Sequence, residues 1–359
     1  MANGQELMAE NMKGRTEIAE LGEFGLIDRL TSKFQKKNSS TICGVGDDAA
    51  VIEASKDKAV VVSTDSMLEG IDFDLTYFPP KHLGYKVVTK GISDVVAMNA
   101  VPEQITLSLG ISSKISVEFL DDFYEGVEFA CKEAGVDLVG GDTSASMTGF
   151  VVNITAVGRA KKSEISYRSG AKEHDLICLT GNLGASYMGL RLLERERRVL
   201  QGMGDAVTPK FDGYEFLLER YLKPRARYDM VESLRKEGIV PTSMIDITDG
   251  LASEVLQICK ASKCGARIYL ERMPLAKQTT ALAEEMNIDP VIAALNGGED
   301  YELLFTVPLE LREKIMNLGC IDIIGHITAE STGAALVTPD GSTIALQAQG
   351  FTPKTAKTE

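Results

Sequence analysis

The sequence predicts an α/β protein in which helices and strands form α+β layers, and it predicts two domains. The 359 residues correspond to about two domains of ordinary size. Short β-branched runs alternate with longer runs of helical periodicity in both halves of the chain. A basic and polar stretch at residues 160–172 interrupts this alternation. We therefore predict one domain over residues 1–162 and a second over residues 163–359.

The first half of the chain alternates predicted strands with two predicted helices. The β-branched run at 59–63 is typical of a buried strand. Pro79-Pro80 begins a helical pattern over 80–99. Apolar residues at helical spacing predict a second helix over 116–134, which Gly135 ends. The other predicted strands lie at 103–111, 136–139 and 150–158.

The second half continues the same alternation. A strand-like run at 175–180 precedes a Gly-rich turn and a helix that begins at Ala185. Another strand-like run at 243–248 leads through Asp249-Gly250 into a further helix. The turn residues Pro339-Asp340-Gly341 predict a hairpin. The remaining predictions are helices at 224–237 and 309–318 and strands at 266–270 and 301–307.

The charge of the chain limits its partners. Its 52 acidic and 38 basic residues leave a net charge of −14. Sequence-independent binding of nucleic acid needs a basic surface, and so does attraction to an anionic membrane. We therefore expect no nucleic-acid partner and no membrane partner. A phosphorylated ligand would require a bound divalent cation, because the protein itself is strongly negative.

Several common targeting and active-site motifs do not occur in the sequence. Residues 1–20 carry acids and lack the apolar core of a secretory signal. No apolar run approaches the length of about 18 residues that a membrane span needs. The six cysteines are scattered without a C-x-x-C pair, which argues against a disulfide framework or a zinc site and favours a cytoplasmic protein. The P-loop and G-x-S-x-G patterns do not occur either.

Acidic residues beside glycine or hydroxyl residues recur along the chain, several of them at the ends of predicted strands. Such strand ends converge on the ligand-binding crevice of α/β sheets, and unpaired carboxylates gathered there would repel one another. Mg²⁺ relieves that repulsion, and Ser63, Thr64 and Thr248 add neutral oxygen atoms at the same places. The motifs are Gly46-Asp47-Asp48-Ala49-Ala50, Ser63-Thr64-Asp65, Ser93-Asp94, Gly140-Gly141-Asp142-Thr143, Asp246-Ile247-Thr248-Asp249-Gly250 and Gly297-Gly298-Glu299-Asp300.

Each motif taken alone has an ordinary structural explanation. A single Gly-Asp pair is usually a turn. Asp94 could cap a new helical turn after Gly91. Gly44-x-Gly46-x-x-Ala49 also fits a dinucleotide-binding fingerprint, although the adjacent carboxylates would repel a pyrophosphate. The case for a metal site depends on the whole set of motifs, which has no basic residue close by in the sequence.

In this order the motifs resemble the thiamine-monophosphate kinase family, and the resemblance covers nearly the whole chain. The longest matches are Gly44-Val-Gly-Asp-Asp-Ala-Ala-Val51 and Gly297-Gly-Glu-Asp-Tyr-Glu-Leu303. The superfamily also contains aminoimidazole ribonucleotide synthetase, selenophosphate synthetase and the hydrogenase-maturation dehydratase. The resemblance implies a two-domain aminoimidazole-ribonucleotide-synthetase-like fold, with dimerisation through the N-terminal domain.

The resemblance also implies a reaction, the last step of thiamine diphosphate biosynthesis. The γ-phosphoryl group of ATP moves directly onto thiamine monophosphate with the help of several Mg²⁺ ions. A phosphate monoester has a second pKa near 6, so the attacking oxygen is already an anion at neutral pH. We therefore assign no general base and no catalytic residue of that kind. Positioning and metal charge are expected to overcome the repulsion between the two phosphates.

The family pattern implies three groups of site residues. The metal ligands are Asp48, Ser63, Thr64, Asp65, Asp94, Asp142, Asp246 and Asp249. The ATP-binding residues are Tyr124, Gly141, Asp142, Arg168 and Thr248. The residues that bind thiamine monophosphate are Asp72, Glu299 and Phe351, the last by packing its ring on the cationic thiazolium. Three of these residues also have an ordinary structural interpretation. Tyr124 would be an aromatic residue on a helix surface, Arg168 a solvated residue between the domains, and Phe351 a residue of the C-terminal tail.

This chain departs from the family pattern at four positions. Thr248 replaces the usual Ser and keeps the hydroxyl group. Glu254 replaces an Asp one helical turn after Gly250, which puts a supporting role there in doubt. Gly91 and Asn99 stand where the family usually has Asn and Gly, so contacts of those two positions are also in doubt.

Two further hypotheses compete with the kinase. One is another ATP-dependent member of the superfamily, of the selenophosphate synthetase or purine-synthesis type. A selenophosphate synthetase would need a reactive cysteine, for which Cys43 is the candidate, but the neighbouring Asp47 and Asp48 would raise its pKa. The other is a metal- and nucleotide-binding protein without catalytic activity.

Overall fold

The computed structural model describes residues 18–203 and 211–348. They belong to two compact units, whose described parts are residues 18–37 and 38–348. The first contains helix α1 (Ile18–Thr31), which kinks at Gly22, where φ is 65°. The second contains both sheets and every described residue of the candidate site discussed below. No helix in the described ranges is both long and apolar enough to cross a membrane.

The first sheet has six strands in the order β1-β2-β3-β6-β4-β5. The pair β4–β5 is parallel and all other neighbours are antiparallel. The strands are β1 (Thr41–Cys43), β2 (Ala50–Glu53), β3 (Lys58–Leu68), β4 (Val101–Ile111), β5 (Asp137–Ala145) and β6 (Val151–Lys161). Alternate residues of β3, including Val61 and Ser63, are buried, as expected for a sheet covered on one face.

Helices α2 (Pro80–Ala97) and α3 (Val117–Ala134) pack together beside this sheet. The side chain of Ser116 accepts a hydrogen bond from the main-chain nitrogen of Phe119 and so caps α3. Gly135 ends α3 in a left-handed conformation with φ 67°. Both predicted helices are therefore confirmed nearly to the residue.

The second sheet has seven strands in the order β13-β12-β9-β11-β7-β10-β8. The pair β9–β12 is parallel and the other neighbours are antiparallel. The strands are β7 (Leu176–Thr180), β8 (Ser243–Asp246), β9 (Cys264–Tyr269), β10 (Leu303–Val307), β11 (Ile321–Ala329), β12 (Ala334–Val337) and β13 (Thr343–Ala345). The helices are α4 (Ala185–Met203), α5 (Glu215–Leu222), α6 (Tyr228–Lys236), α7 (Leu251–Ser262), α8 (Lys277–Glu285), α9 (Pro290–Asn296) and α10 (Arg312–Asn317).

Helix α2 contacts both halves of the chain. Val96 and Ala97 at its end belong to a hydrophobic cluster with Cys178 of β7 and Phe305 of β10. The same helix also contacts β3, β4 and β6 of the first sheet. This position between the two halves lets α2 bring residues of both halves to one site.

The α/β fold class is confirmed, but two strand ends were predicted wrongly. The strand predicted at 59–63 runs on to Leu68, and the strand predicted at 136–139 runs on to Ala145. Both strands continue through polar residues, so the apolar pattern stops before the strand does: in β3, Thr64 and Ser66 lie on the open face of the sheet while Ser63 and Asp65 face α2, and β5 is an exposed edge strand. Ser63-Thr64-Asp65 and Gly140-Gly141-Asp142 therefore lie inside strands rather than at strand ends. Seven elements, α1, α5, α8, α9, β1, β2 and β11, were not predicted.

Candidate active site

Three carboxylates from three separate elements meet at one point. Asp48 lies in the loop between β1 and β2, Asp94 lies inside α2, and Asp246 is the last residue of β8. Each offers a carboxylate oxygen within 4.8 Å of those of the other two. Because α2 continues without a break through residue 94, the alternative that Asp94 caps a helix is wrong.

Burial makes ionisation of these three carboxyl groups unfavourable. Burial raises the pKa of Asp48 to about 8, although the Arg168 charge opposes the shift. Burial also raises the pKa of Asp94 and of Asp246, and the charge of Asp246 raises that of Asp94 further. The Oδ2 atom of Asp48 is buried and has no hydrogen-bond partner among the described residues. An all-oxygen group with an unused buried lone pair fits a hard divalent cation such as Mg²⁺.

A fourth carboxylate, Asp65, adjoins this cluster. Asp65 lies on β3, and its side chain and that of Asp94 hydrogen-bond each other. Burial raises the pKa of Asp65 as well, partly offset by the charge of Lys90. Burial and the neighbouring carboxylates therefore disfavour a negative charge on both groups at once.

The two hydroxyl residues beside Asp65 differ in direction. The Ser63 hydroxyl donates to the main-chain oxygen of Gly91 on α2 at 3.1 Å, on the same side of the strand as Asp65. The Thr64 hydroxyl donates to the main-chain oxygen of Ile154 at 3.1 Å, on the opposite side. The side chain of Thr64 therefore points away from the carboxylates, and only its main-chain oxygen remains for the predicted metal contact.

Arg168 is not the solvated linker residue that its sequence context allowed. Its Nε and Nη2 atoms donate to Oδ1 of Asp48 at 2.9 and 2.5 Å, and the side chain is 19% exposed. Its main-chain nitrogen also donates to the Asp47 carboxylate at 3.1 Å. A fixed positive charge therefore sits at the edge of the carboxylate cluster.

Glu254 supports the turn that carries Thr248 and Asp249. Its Oε1 atom accepts from the main-chain nitrogens of Thr248 at 3.0 Å and Asp249 at 2.8 Å. Glu254 is 2% exposed, and burial raises its pKa to about 8. The longer side chain at this departure from the family pattern thus holds the main chain of the turn in place.

The other two departures also have local explanations. Asn99 has φ 54° just after α2, a conformation that Gly adopts freely and Asn tolerates. Its Nδ2 atom donates to the main-chain oxygen of Glu164 at 2.7 Å. A Cβ atom at Gly91 would lie 2.7 Å from Cδ1 of Ile154, so a larger residue there would force that side chain to move.

Asp142 and Gly141 lie on the exposed edge strand β5, outside the group of three carboxylates. The Ser144 hydroxyl donates to the Asp142 carboxylate at 3.3 Å. A Cβ at Gly141 would lie 2.0 Å from the main-chain oxygen of Leu107, so close strand packing already explains this glycine. Tyr124 lies 37% exposed on α3 with its ring edge-on to that of Phe123. Their predicted contacts with metal and ATP remain predictions.

The predicted substrate residues Asp72 and Glu299 lie next to two lysines of α2. Lys90 Nζ is 3.7 Å from Oδ1 of Asp72, and Lys86 Nζ is 3.0 Å from Oε2 of Glu299. Lys86 is fully buried, with its ammonium 3.9 Å from the centre of the Tyr221 ring. The third predicted substrate residue, Phe351, lies outside the described residues.

The acidic motifs were described as having no basic residue close by in the sequence, but the fold brings basic side chains next to them. Arg168, Lys86 and Lys90 all approach the predicted site. The sequence held one signal for the lysines: Lys86, Lys90 and Asp94 are spaced four residues apart, which places them on one side of a helix that is otherwise largely apolar. Ser93 was also missed; its hydroxyl donates a short hydrogen bond to Asp246 and joins α2 to β8.

Two acids of the Gly297–Leu303 motif serve the fold. The Asp300 carboxylate accepts from the main-chain nitrogens of Gly184 and Ser186 at the start of α4, at 2.7 and 3.3 Å. Glu302 is 1% exposed and pairs with Arg220 at 2.9 Å and with Arg227. Of this motif, only Glu299 lies beside the lysines of α2 in the described structure.

Comparison with known families identifies the class of this fold and site. The model of AIR synthase related protein, N-terminal domain, matches residues 46–160. The model of AIR synthase related protein, C-terminal domain, matches residues 172–337. The chain therefore belongs to the AIR synthase related proteins, and its fold is the two-domain fold of that class.

Within this class the similar proteins agree with one another. The chain is 36% identical to thiamine-monophosphate kinase of Buchnera aphidicola (subsp. Schizaphis graminum), covering 89% of this chain and 94% of that protein. It is 32% identical to the Escherichia coli K12 enzyme of the same name, covering 92% and 97%. A solved structure described as AaThiL complexed with AMPPCP and TMP has 30% identity and a TM-score of 0.78, covering 92% and 97%. The chain belongs to the thiamine-monophosphate kinase family, which confirms the resemblance of its motifs.

Proposed function

We propose that this protein is a thiamine-monophosphate kinase that transfers the γ-phosphoryl group of ATP onto the phosphate of thiamine monophosphate. A phosphate oxygen of the acceptor forms a bond to the γ-phosphorus while the bond to the β-phosphate oxygen breaks. The products are thiamine diphosphate and ADP. The observation that carries the proposal is the cluster of Asp48, Asp94 and Asp246 in a chain of this family.

The acceptor explains why the proposal needs no general base. The second pKa of a phosphate monoester lies near 6, so at neutral pH no proton has to leave the attacking oxygen. The remaining difficulty is the approach of two anions, which the protein meets by fixing both and supplying positive charge. The carboxylates are thus proposed as cation ligands rather than as proton acceptors.

We propose that several Mg²⁺ ions belong to the active protein. Asp48, Asp65, Asp94 and Asp246, which lie together, would hold them, joined by Asp249, Asp142, Ser63 and Thr64 as the family pattern implies. Bound Mg²⁺ supplies positive charge that stabilises the phosphates during transfer. The orphaned buried Oδ2 atom of Asp48 supports this proposal.

The nucleotide and substrate contacts also form part of the proposal. ATP would be bound by Tyr124, Gly141, Asp142, Arg168 and Thr248, and thiamine monophosphate by Asp72, Glu299 and Phe351. The positions of Arg168 beside Asp48 and of Glu299 near the α2 lysines favour these roles. The solved relative described above is complexed with AMPPCP, an ATP analogue, and with TMP.

We further propose a cytoplasmic homodimer that is assembled through the first sheet. Every residue of the edge strand β5 is exposed, including Leu138 and Val139 at 43% and 61%. An exposed edge strand with apolar side chains favours association with a second copy. Light scattering of wild type and Val139→Asp tests the dimer, which the new charge should weaken.

The division of the chain into domains 1–162 and 163–359 remains a prediction.

An endpoint assay tests the proposed activity. Purified protein, ATP, Mg²⁺ and thiamine monophosphate should yield thiamine diphosphate, read by chromatography, and EDTA should prevent it. Asp65→Asn should abolish turnover without unfolding the protein, whereas Asp57→Asn, a change at an exposed position between β2 and β3, should not. Full activity of Asp65→Asn would refute the assignment of the metal site.

The assay also separates the alternatives. If no product forms but ATP with Mg²⁺ raises the melting temperature, the acceptor is wrong and another ATP-dependent activity of the superfamily applies. If binding occurs but no acceptor yields product, the protein is a metal- and nucleotide-binding protein without turnover. If ATP neither reacts nor stabilises the protein, the proposed function fails.

A further inference from the structure

Lys90 occupies the gap between the carboxylate cluster and the predicted substrate residues. Its Nζ atom lies 3.9 Å from Oδ1 of Asp65 on one side and 3.7 Å from Oδ1 of Asp72 on the other. It also donates a hydrogen bond to the main-chain oxygen of Ser66 at 3.2 Å. One helical turn further along α2 lies Asp94.

The Lys90 ammonium has hydrogen-bonding capacity left for a ligand. It carries three donor hydrogens, and the two carboxylates lie beyond hydrogen-bond distance, so the bond to Ser66 uses only one of them. The side chain is 20% exposed, so a ligand in the site can reach it. Lys86 differs in both respects, because it is fully enclosed and is hydrogen-bonded to Glu299.

Lys90 is a cation among carboxylates. A Lys side chain is ordinarily charged at neutral pH, and its ammonium lies between the carboxylates of Asp65 and Asp72. Lys86 is the cation that faces it from the same helix.

A substrate phosphate that enters this region would meet strong repulsion from the acids on both sides. Thiamine monophosphate has its ring system at one end and its phosphate at the other. If the ring end lies toward Asp72 and Glu299, the phosphate has to lie toward Asp65, where the transfer takes place. In the described structure, Lys90 is the cation that lies between Asp65 and Asp72.

We propose that Lys90 binds the phosphate group of thiamine monophosphate and holds it for attack on ATP. This role rests on the proposed function and adds a residue that the family pattern does not supply. A Lys–phosphate contact is a charge-assisted hydrogen bond, and its strength depends on the phosphate rather than on the thiamine ring.

The test compares two ligands that differ only in the phosphate. Calorimetry with Mg²⁺ and without ATP measures the Kd of thiamine monophosphate and of thiamine for wild type, Lys90→Met and Lys90→Arg. We expect Lys90→Met to weaken binding of the monophosphate roughly 10- to 100-fold and to leave thiamine nearly unchanged. Lys90→Arg should restore most of the loss, because it keeps the charge. Lys132→Met, at an exposed position on α3, is the matched control and should change neither Kd.

The outcomes are separable. If Lys90→Met weakens both ligands equally, or neither, Lys90 does not bind the phosphate and the inference is overturned. If Lys90→Met does not fold by circular dichroism, Lys90→Gln replaces it in the same comparison. If wild type forms no product and binds thiamine monophosphate no better than thiamine, the proposed function itself has failed. If wild type forms product but binds both ligands equally, only the role of Lys90 is refuted.

Discussion

The contacts of Glu254 lead to a quantitative prediction about how the site is held together. One atom, Oε1, accepts from two main-chain nitrogens, those of Thr248 at 3.0 Å and Asp249 at 2.8 Å. Glu254→Ala removes the acceptor from both. A buried N–H left without an acceptor costs about 1–3 kcal/mol. Because Asp249 is an exposed residue that water can reach, we expect a total loss of about 2–3 kcal/mol.

Glu254→Gln is the matched control for this prediction. Gln has the same side-chain length as Glu, so it keeps an oxygen acceptor at the same distance from the main chain of α7. Because burial raises the pKa of Glu254 to about 8, the neutral carboxyl predominates at pH 7, and the amide resembles it in charge. We therefore expect Gln to cost less than about 1 kcal/mol.

Two measurements decide the prediction. Urea unfolding followed by circular dichroism gives the loss of stability, and calorimetric titration gives the affinity for Mg²⁺. Since Glu254 positions the main chain of Asp249, Glu254→Ala should weaken Mg²⁺ binding roughly 10- to 100-fold, as loss of a supporting residue does in other metal sites. Wild-type stability together with wild-type Mg²⁺ affinity in Glu254→Ala would refute the reasoning.

Three further predictions follow from packing and charge. Gly91→Asn should destabilise the protein by about 1–3 kcal/mol, because a Cβ there lies 2.7 Å from Ile154; thermal melts should show partial rescue by Ile154→Ala. Gly141→Ala should lower the melting temperature, since its Cβ would lie 2.0 Å from a main-chain oxygen of β4, whereas Gly140→Ala, 3.7 Å from its nearest neighbour, should be tolerated. Folding raises the pKa of Asp48 from 3.8 to about 8, so in metal-free protein its contribution to stability falls as the pH rises through that interval. Mg²⁺ affinity should in turn increase up to about tenfold per pH unit between pH 6 and 8, and calorimetry that finds no such increase would contradict the assignment of Asp48 as a ligand.

Local signals predicted α2 and α3 well. Pro80 at the start of α2, and the Ser116 cap and Gly135 at the ends of α3, are features of the residues themselves. The end of β3 was beyond such signals, because a strand with one open face continues through polar residues as readily as through apolar ones. The same limit applies to β5, whose residues are all exposed.

The site was more predictable in its acids than in its cations. The acidic motifs, rich in glycine and hydroxyl residues, stand out in the sequence, and Asp48, Asp65, Asp94 and Asp246 do lie together. Arg168 was expected from the family pattern alone and Lys90 was not expected, since their contacts arise from which elements pack together. Tertiary contact, rather than any local pattern, also decides that Asp300 caps a helix more than 100 residues away in sequence.

The position of α2 limits how this protein can be divided or recombined. Its Lys86 is enclosed by Glu299 and Tyr221, and its Ser93 is bonded to Asp246, all from the second half of the chain. A fragment of the chain that ended within residues 160–172 would expose the buried Lys86 ammonium group and the apolar end of α2 to water. Chimeras that join the first half of one relative to the second half of another should therefore fold only when the partners of α2 are exchanged together with it. An engineered change in α2 should therefore be accompanied by matching changes at Glu299, Tyr221 and Asp246.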